Sequence, residues 1–136
     1  MKKRFFALFI VFAAFLLVGC AQNKLSESFD EDEVKLAAQD VIARMNEKDY
    51  AGVVAMVRED LQEALSVEVL TDAADLVLVD TGEFESYTNE FITGQKDKTT
   101  GEDYAIAIMA TKYANKKVVY TISFDVDMKI VGFYLK

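Results

Sequence analysis

Histidine, tryptophan and proline are missing from the 136-residue chain, and cysteine occurs once. Each absence excludes a class of chemistry. Without histidine no side chain titrates near neutrality at its ordinary pKa, and the commonest metal ligand is gone. A catalytic triad of the usual form is therefore excluded, and a metal would have to be held by carboxylates alone. A lone thiol forms no internal disulfide. Neither a dinucleotide-binding glycine fingerprint nor a Walker loop is present, so no metal and no cofactor is expected. Basic charge is also scarce, with 15 Lys and Arg against 23 Asp and Glu. Lys2, Lys3 and Arg4 precede Cys20, so the chain from Cys20 onward holds 12 basic and 23 acidic residues, a net charge of −11. Nucleic-acid binding needs a basic footprint, and no nucleic acid is expected as a partner. The same charge predicts repulsion from anionic lipid heads and a domain that stands off a bilayer.

What is present begins with an address. Lys2, Lys3 and Arg4 form a basic start, and Phe5 to Val18 is apolar without a charge. This is the layout of a secretory signal, and it is shorter than the roughly 20 apolar residues a spanning helix needs. The stretch ends in Leu17-Val18-Gly19-Cys20, which resembles the bacterial lipobox at every position. The resemblance implies lipidation: diacylglycerol is transferred to the Cys20 sulfur and the chain is cleaved before it. Residues 1–19 are then a signal peptide, and Cys20 with residues up to 27 a lipidated tether. The membrane becomes a partner through the lipid anchor, on the extracytoplasmic face of the cell membrane. An uncleaved signal anchor and a secreted protein with a free thiol are the alternatives.

Residues 28–136 read as one domain. Ser28 and Glu31 fit a capping box ahead of a helix over about Asp30 to Asn46, with Val34, Ala38, Val41, Ile42 and Met45 at helical spacing. The acidic run Asp30 to Glu33 suits a helix start and lacks the pattern of a calcium loop. Asp49 caps a second helix to about Arg58, and Ser66 a third that ends before Gly82. Leu76 to Val79 could instead be a strand. From Gly82 the period becomes two. Glu83 to Gln95 predicts a strand with a bulge, and Tyr104 to Tyr113 a strand apolar on both faces. Val118, Tyr120, Ile122 and Phe124 predict an inward-facing row, and Lys129 to Leu135 a last strand. Helices followed by an antiparallel meander make an α+β fold with the helices on one sheet face. Ala105, Ala107 and Met109 would then lie uncovered, which predicts a homodimer or partner contact through the sheet. Lys96, Lys98, Lys116 and Lys117 read as solvated turns, or as an anion site if they meet at one end.

Asn46-Glu47-Lys48-Asp49-Tyr50, Gly82-Glu83-Phe84, the run Val119 to Asp125 and the run Lys129 to Tyr134 together resemble the domain of unknown function 3887 family. That resemblance covers about Ser28 to the C-terminus. It implies a cystatin-like or nuclear-transport-factor-2-like cone, with helices packed into a curved antiparallel sheet, and brings no catalytic residues. The broader superfamily includes ketosteroid-isomerase-like enzymes, which combine an Asp base with a Tyr in an oxyanion hole. Tyr50, Tyr87, Tyr104, Tyr120 and Tyr134 are available for such a role, with Asp40 and Asp49. Two functions follow: a binding domain for a small ligand or envelope protein, with Tyr87, Tyr104 and Tyr120 near the lining, or a small Tyr/Asp enzyme. Buried or rim tyrosines are common on strands, which favours binding.

Overall fold

The computed structural model describes residues 24–136; the expected signal peptide and Cys20 lie outside the described residues. Three helices, α1 (Glu31–Asn46), α2 (Tyr50–Met56) and α3 (Val67–Val77), precede four strands, β1 (Phe84–Lys96), β2 (Asp103–Tyr113), β3 (Lys117–Phe124) and β4 (Ile130–Leu135). None of these helices is long and apolar enough to cross a membrane. The fold is α+β, as the change of period predicts.

Side-chain caps start the helices. Asp49 accepts from the Gly52 N–H at 3.0 Å, and the Ser66 hydroxyl from the Val69 N–H at 3.3 Å. The first cap differs from the expected Ser28–Glu31 box: Asp30 accepts from the Glu33 N–H at 3.0 Å. The cause is a turn just upstream, where the Phe29 N–H donates to the Ser26 carbonyl. That turn buries the Phe29 ring and moves the helix start past Ser28. Leu76 and Val77 stay helical; Ser66 has already committed the segment, and Leu78 closes it on the Ala74 carbonyl.

The sheet is an antiparallel meander in the order β1-β2-β3-β4. Beyond β4, Val57 bridges to Ile130 in parallel, and the Arg58 N–H donates to the Ile130 carbonyl at 2.9 Å. The chain leaving α2 thus shields the start of that edge. Val34, Ala38, Val41, Ile42 and Met45 of α1 are buried in one core with Val118, Tyr120, Ile122 and Phe124 of β3. Ala105, Ala107 and Met109 join the same core with no exposed surface. They are therefore not the uncovered face that their sequence suggested. Small residues on the central strand let α1 approach closely, and the larger Ile106 and Ile108 face the other way, half-buried.

Both faces of the meander run between two ends. At one end lie the β1–β2 hairpin (97–101) and the β3–β4 turn (125–129). At the other lie the start of β1, the β2–β3 turn (114–116) and the end of α1, whose Asn46 bonds to Tyr113. Lys96 and Lys98 sit at the first end and Lys116 and Lys117 at the second, so they form no common anion site. Strand topology separates them, because one hairpin connection lies at each end of β2.

Candidate functional site

At the β2–β3 turn end an open cavity of about 730 Å³ lies between the end of α1, the start of α2, the end of α3 and the start of β1. Tyr113 and Phe84 come from the sheet; Met45, Tyr50, Ala74 and Leu78 supply further apolar wall. Lys48, Asp75, Asp80 and Glu83 are exposed at the rim. The size and the mix of apolar wall with few polar groups are those of small-ligand sites, which run roughly 300–1,000 Å³.

The mouth is built from backbone that side chains rarely adopt. Lys48 (φ 61°), Asp80 (φ 56°) and Gly82 (φ 73°) are all left-handed, which costs a non-glycine residue roughly 1–2 kcal/mol. Such residues persist where surrounding bonds over-determine them, and they gather at functional sites. Here the bonds are visible. Asn115 donates from its side chain to the Asp80 carbonyl and from its backbone to the Thr81 carbonyl; the Ala114 N–H donates to the Glu83 carbonyl. A Cβ on Gly82 would also meet the Ala114 side chain at 2.8 Å. The 80–83 loop is thus tied to the β2–β3 turn.

Behind the mouth three polar groups form a line. The Tyr113 hydroxyl donates to Asn46 Oδ1 at 2.5 Å and lies 2.7 Å from the Tyr120 hydroxyl. With the Tyr113 proton spent on Asn46, the Tyr120 hydroxyl is the donor of the second bond. Burial pushes the Tyr120 phenol far above its usual range, and its bond to Tyr113 adds to the shift. Tyr113 is also raised by burial, against a smaller opposing effect of its bonds from Tyr120 and to Asn46. Phe84 packs edge-on against Tyr113 at 5.5 Å between ring centres and against Tyr87 at 5.1 Å. Burial, then the charge of Glu90, pushes Tyr87 up to about 12. Tyr50 is raised by burial and then by Asp75. All four phenols are therefore neutral donors at physiological pH, not bases.

Of the tyrosines expected near a lining, Tyr87 and Tyr120 meet Phe84 and Tyr113 from behind and do not themselves line the cavity. Tyr104 lies apart. It sits on β2 at the hairpin end, where its hydroxyl donates to Glu102 and burial leads the shift that raises it to about 12. Asp40 and Asp49 do not point to the cavity chemistry either; both are paired with Arg44, at 3.3 and 3.0 Å. Among the described residues no cluster of acids is arranged to hold a metal ion. Tyr113 and Asn46 are not among the site residues that the sequence points to. Asn46 follows Ile42 by one helical turn and so shares its core-facing side, whereas Tyr113 shares the Met109 face, which hydrophobicity alone puts on the uncovered side of the sheet.

No functionally curated protein matches the sequence. The fold is similar to the NMR structure of a protein from Ruminococcus gnavus ATCC 29149, with 28% identity, coverage of 83% of this chain and 96% of that chain, and a TM-score of 0.73. A family model described as "Protein of unknown function (DUF3887)" matches residues 38–133. That span runs from the middle of α1 into β4, more than half the chain, and the chain belongs to this family.

Proposed function

We propose that this is a lipid-anchored, extracytoplasmic binding protein whose cavity takes a small ligand with an apolar body and a cationic or uncharged head. The fold is consistent with a nuclear-transport-factor-2-like cone. One observation carries the reading: an aromatic-lined cavity whose mouth is held by left-handed backbone at Lys48, Asp80 and Gly82. The rim favours the head group proposed, because Asp75, Asp80 and Glu83 outnumber Lys48. The polar line of Asn46, Tyr113 and Tyr120 favours binding over catalysis. Its phenols are committed to one another and, being raised in pKa, supply no base. The Cys20 anchor rests on the match at Leu17 to Cys20.

The test is chemical-shift mapping on the ¹⁵N-labelled chain from Ala21 onward, with phenethylammonium and phenylacetate as probes. Shifts from the cation should gather on Asn46, residues 78–84 and Tyr113, and the anion should bind at least several-fold more weakly. Equal response to both probes, or shifts scattered over the surface, would remove the reading.

A further inference from the structure

We infer that the anchored domain stands on the bilayer with its β1–β2 hairpin end down, so that the cavity opens away from the membrane. This rests on the lipid anchor at Cys20. It follows from where the described chain begins and how firmly that beginning is held.

Gly94 lies in β1 on the core-facing side, paired with Ala105. A Cβ there would run into the Lys24 carbonyl and the Leu25 Cα, so the missing side chain is a slot for the incoming chain. Leu25 packs on the core, and Phe29 is buried in it. The Ser26 hydroxyl donates to Asp103 Oδ2 at 3.1 Å and accepts from the Ser28 N–H at 3.2 Å. The expected tether up to residue 27 is therefore bound structure from Lys24 onward. Only Ala21, Gln22 and Asn23 separate Lys24 from Cys20, and four residue steps span at most about 14 Å. Net charge predicts a domain held off the membrane; covalent length limits how far.

Gly94 and the Lys96↔Asp103 pair lie beside the hairpin. The cavity lies at the Phe84↔Tyr113 pair, eight residues along β2 from Ala105, the partner of Gly94, and so about 26 Å away. That exceeds the leash. Lying on the helical side is disfavoured by charge: residues 31–77 contain twelve acids and four Lys or Arg. The hairpin end carries Lys24, Lys96, Lys98 and Lys129 against Asp97, Glu102, Asp103, Asp125, Asp127 and the acidic start of α1 from Asp30 to Glu33, so its excess of acid is the smaller one. The orientation has a consequence for the ligand. It arrives from the aqueous side and is not drawn from the leaflet that holds the anchor.

The full chain, processed in a bacterial host and reconstituted into phosphatidylethanolamine/phosphatidylglycerol vesicles, tests this. Lys98→Cys and Lys116→Cys each add one thiol for a fluorophore, and a nitroxide-headgroup lipid serves as quencher. Quenching at position 98 should exceed that at position 116 several-fold. Twelve Gly/Ser residues inserted between Asn23 and Lys24 should erase the difference. Equal quenching without the insert, or stronger quenching at 116, overturns the orientation while leaving the anchor intact. A protein that fails to float with the vesicles and whose Cys20 thiol still reacts overturns the anchor and the orientation together.

Discussion

Tyr120→Phe and Tyr113→Phe remove one oxygen each from the same pair of phenols, yet they should differ in cost. Tyr120 has no exposed surface, and its hydroxyl donates to Tyr113 at 2.7 Å. Replacing Tyr120 by Phe removes that bond and leaves the Tyr113 hydroxyl donating to Asn46. The loss is one net hydrogen bond, about 0.5–1.5 kcal/mol. Replacing Tyr113 by Phe removes the hub. The Tyr120 hydroxyl is then buried with no partner, at about 1–3 kcal/mol for its desolvation, and Asn46 loses its donor as well. For a domain of this size 1 kcal/mol moves Tm by roughly 3–6 °C. Tyr120→Phe should lower Tm by about 2–8 °C and Tyr113→Phe by roughly twice that. The double variant should cost less than the sum, because the orphaned hydroxyl has gone and contacting residues are not additive. Calorimetry of the four proteins decides it. A Tyr120→Phe loss equal to or larger than that of Tyr113→Phe, or strict additivity, would refute the assigned direction of the bonds.

Gly94→Ala should release residues 24–29, because the new methyl meets backbone atoms and has nothing flexible to push aside; hydrogen exchange at Ser28 and Phe29 should rise while the β2–β3 amides stay protected. Stability should be flat through neutrality and fall above pH 10: phenols raised in the folded state contribute stability that is fully present below the unfolded value near 10 and lost as pH climbs towards about 12 for Tyr87 and beyond it for Tyr120. Each such phenol adds about 1.4 kcal/mol per pH unit to that slope, so urea midpoints between pH 9 and 11 should fall less steeply in Tyr120→Phe. Cys20→Ala should abolish metabolic labelling by a fatty acid, and label that survives in the variant would end the anchor reading.

Much of the fold was legible because its signals are local. Asp49 and Ser66 announce their helices by one side chain bonding three residues ahead. The change of period at Gly82 separates helices from strands without any tertiary information. The Val118 to Phe124 row reads as facing the helices because its other face is polar enough to be ruled out, and it is buried in the core with them. On β2 that contrast fails. Ile106 and Ile108 are more apolar than Ala105 and Ala107, so hydrophobicity alone points the wrong way. What decides the face is the closeness of α1, a distance set by the whole core.

The site was harder to read for the same reason, and Tyr104 shows why. Tyr87, Tyr104 and Tyr120 have similar strand settings in the sequence, but Tyr104 shares the outer face of Ile106 and Ile108 and also lies at a different height along the sheet. Height depends on register, and the register of β1 against β2 is shifted twice by bulges between Phe84 and Asn89. Those shifts leave Phe84 opposite Tyr113 and Tyr87 opposite Thr111, so both rings fall at the cavity end, while Tyr104 stays opposite Gln95 beside the hairpin. Without the bulges an alternating strand would present Phe84 and Tyr87 to opposite faces, since their separation is odd. The bulges thus do two things at once. They end the regular pairing of an edge strand, and they bring two aromatic rings to the same side of the sheet, beside the phenol that carries the Asn46–Tyr113–Tyr120 line. Deleting Glu85, the residue that the first shift leaves over, would give Phe84 and Tyr87 an even separation, so regular alternation would keep Phe84 opposite Tyr113 without the bulge, and the hairpin end and its clamp on Lys24 would stay in place.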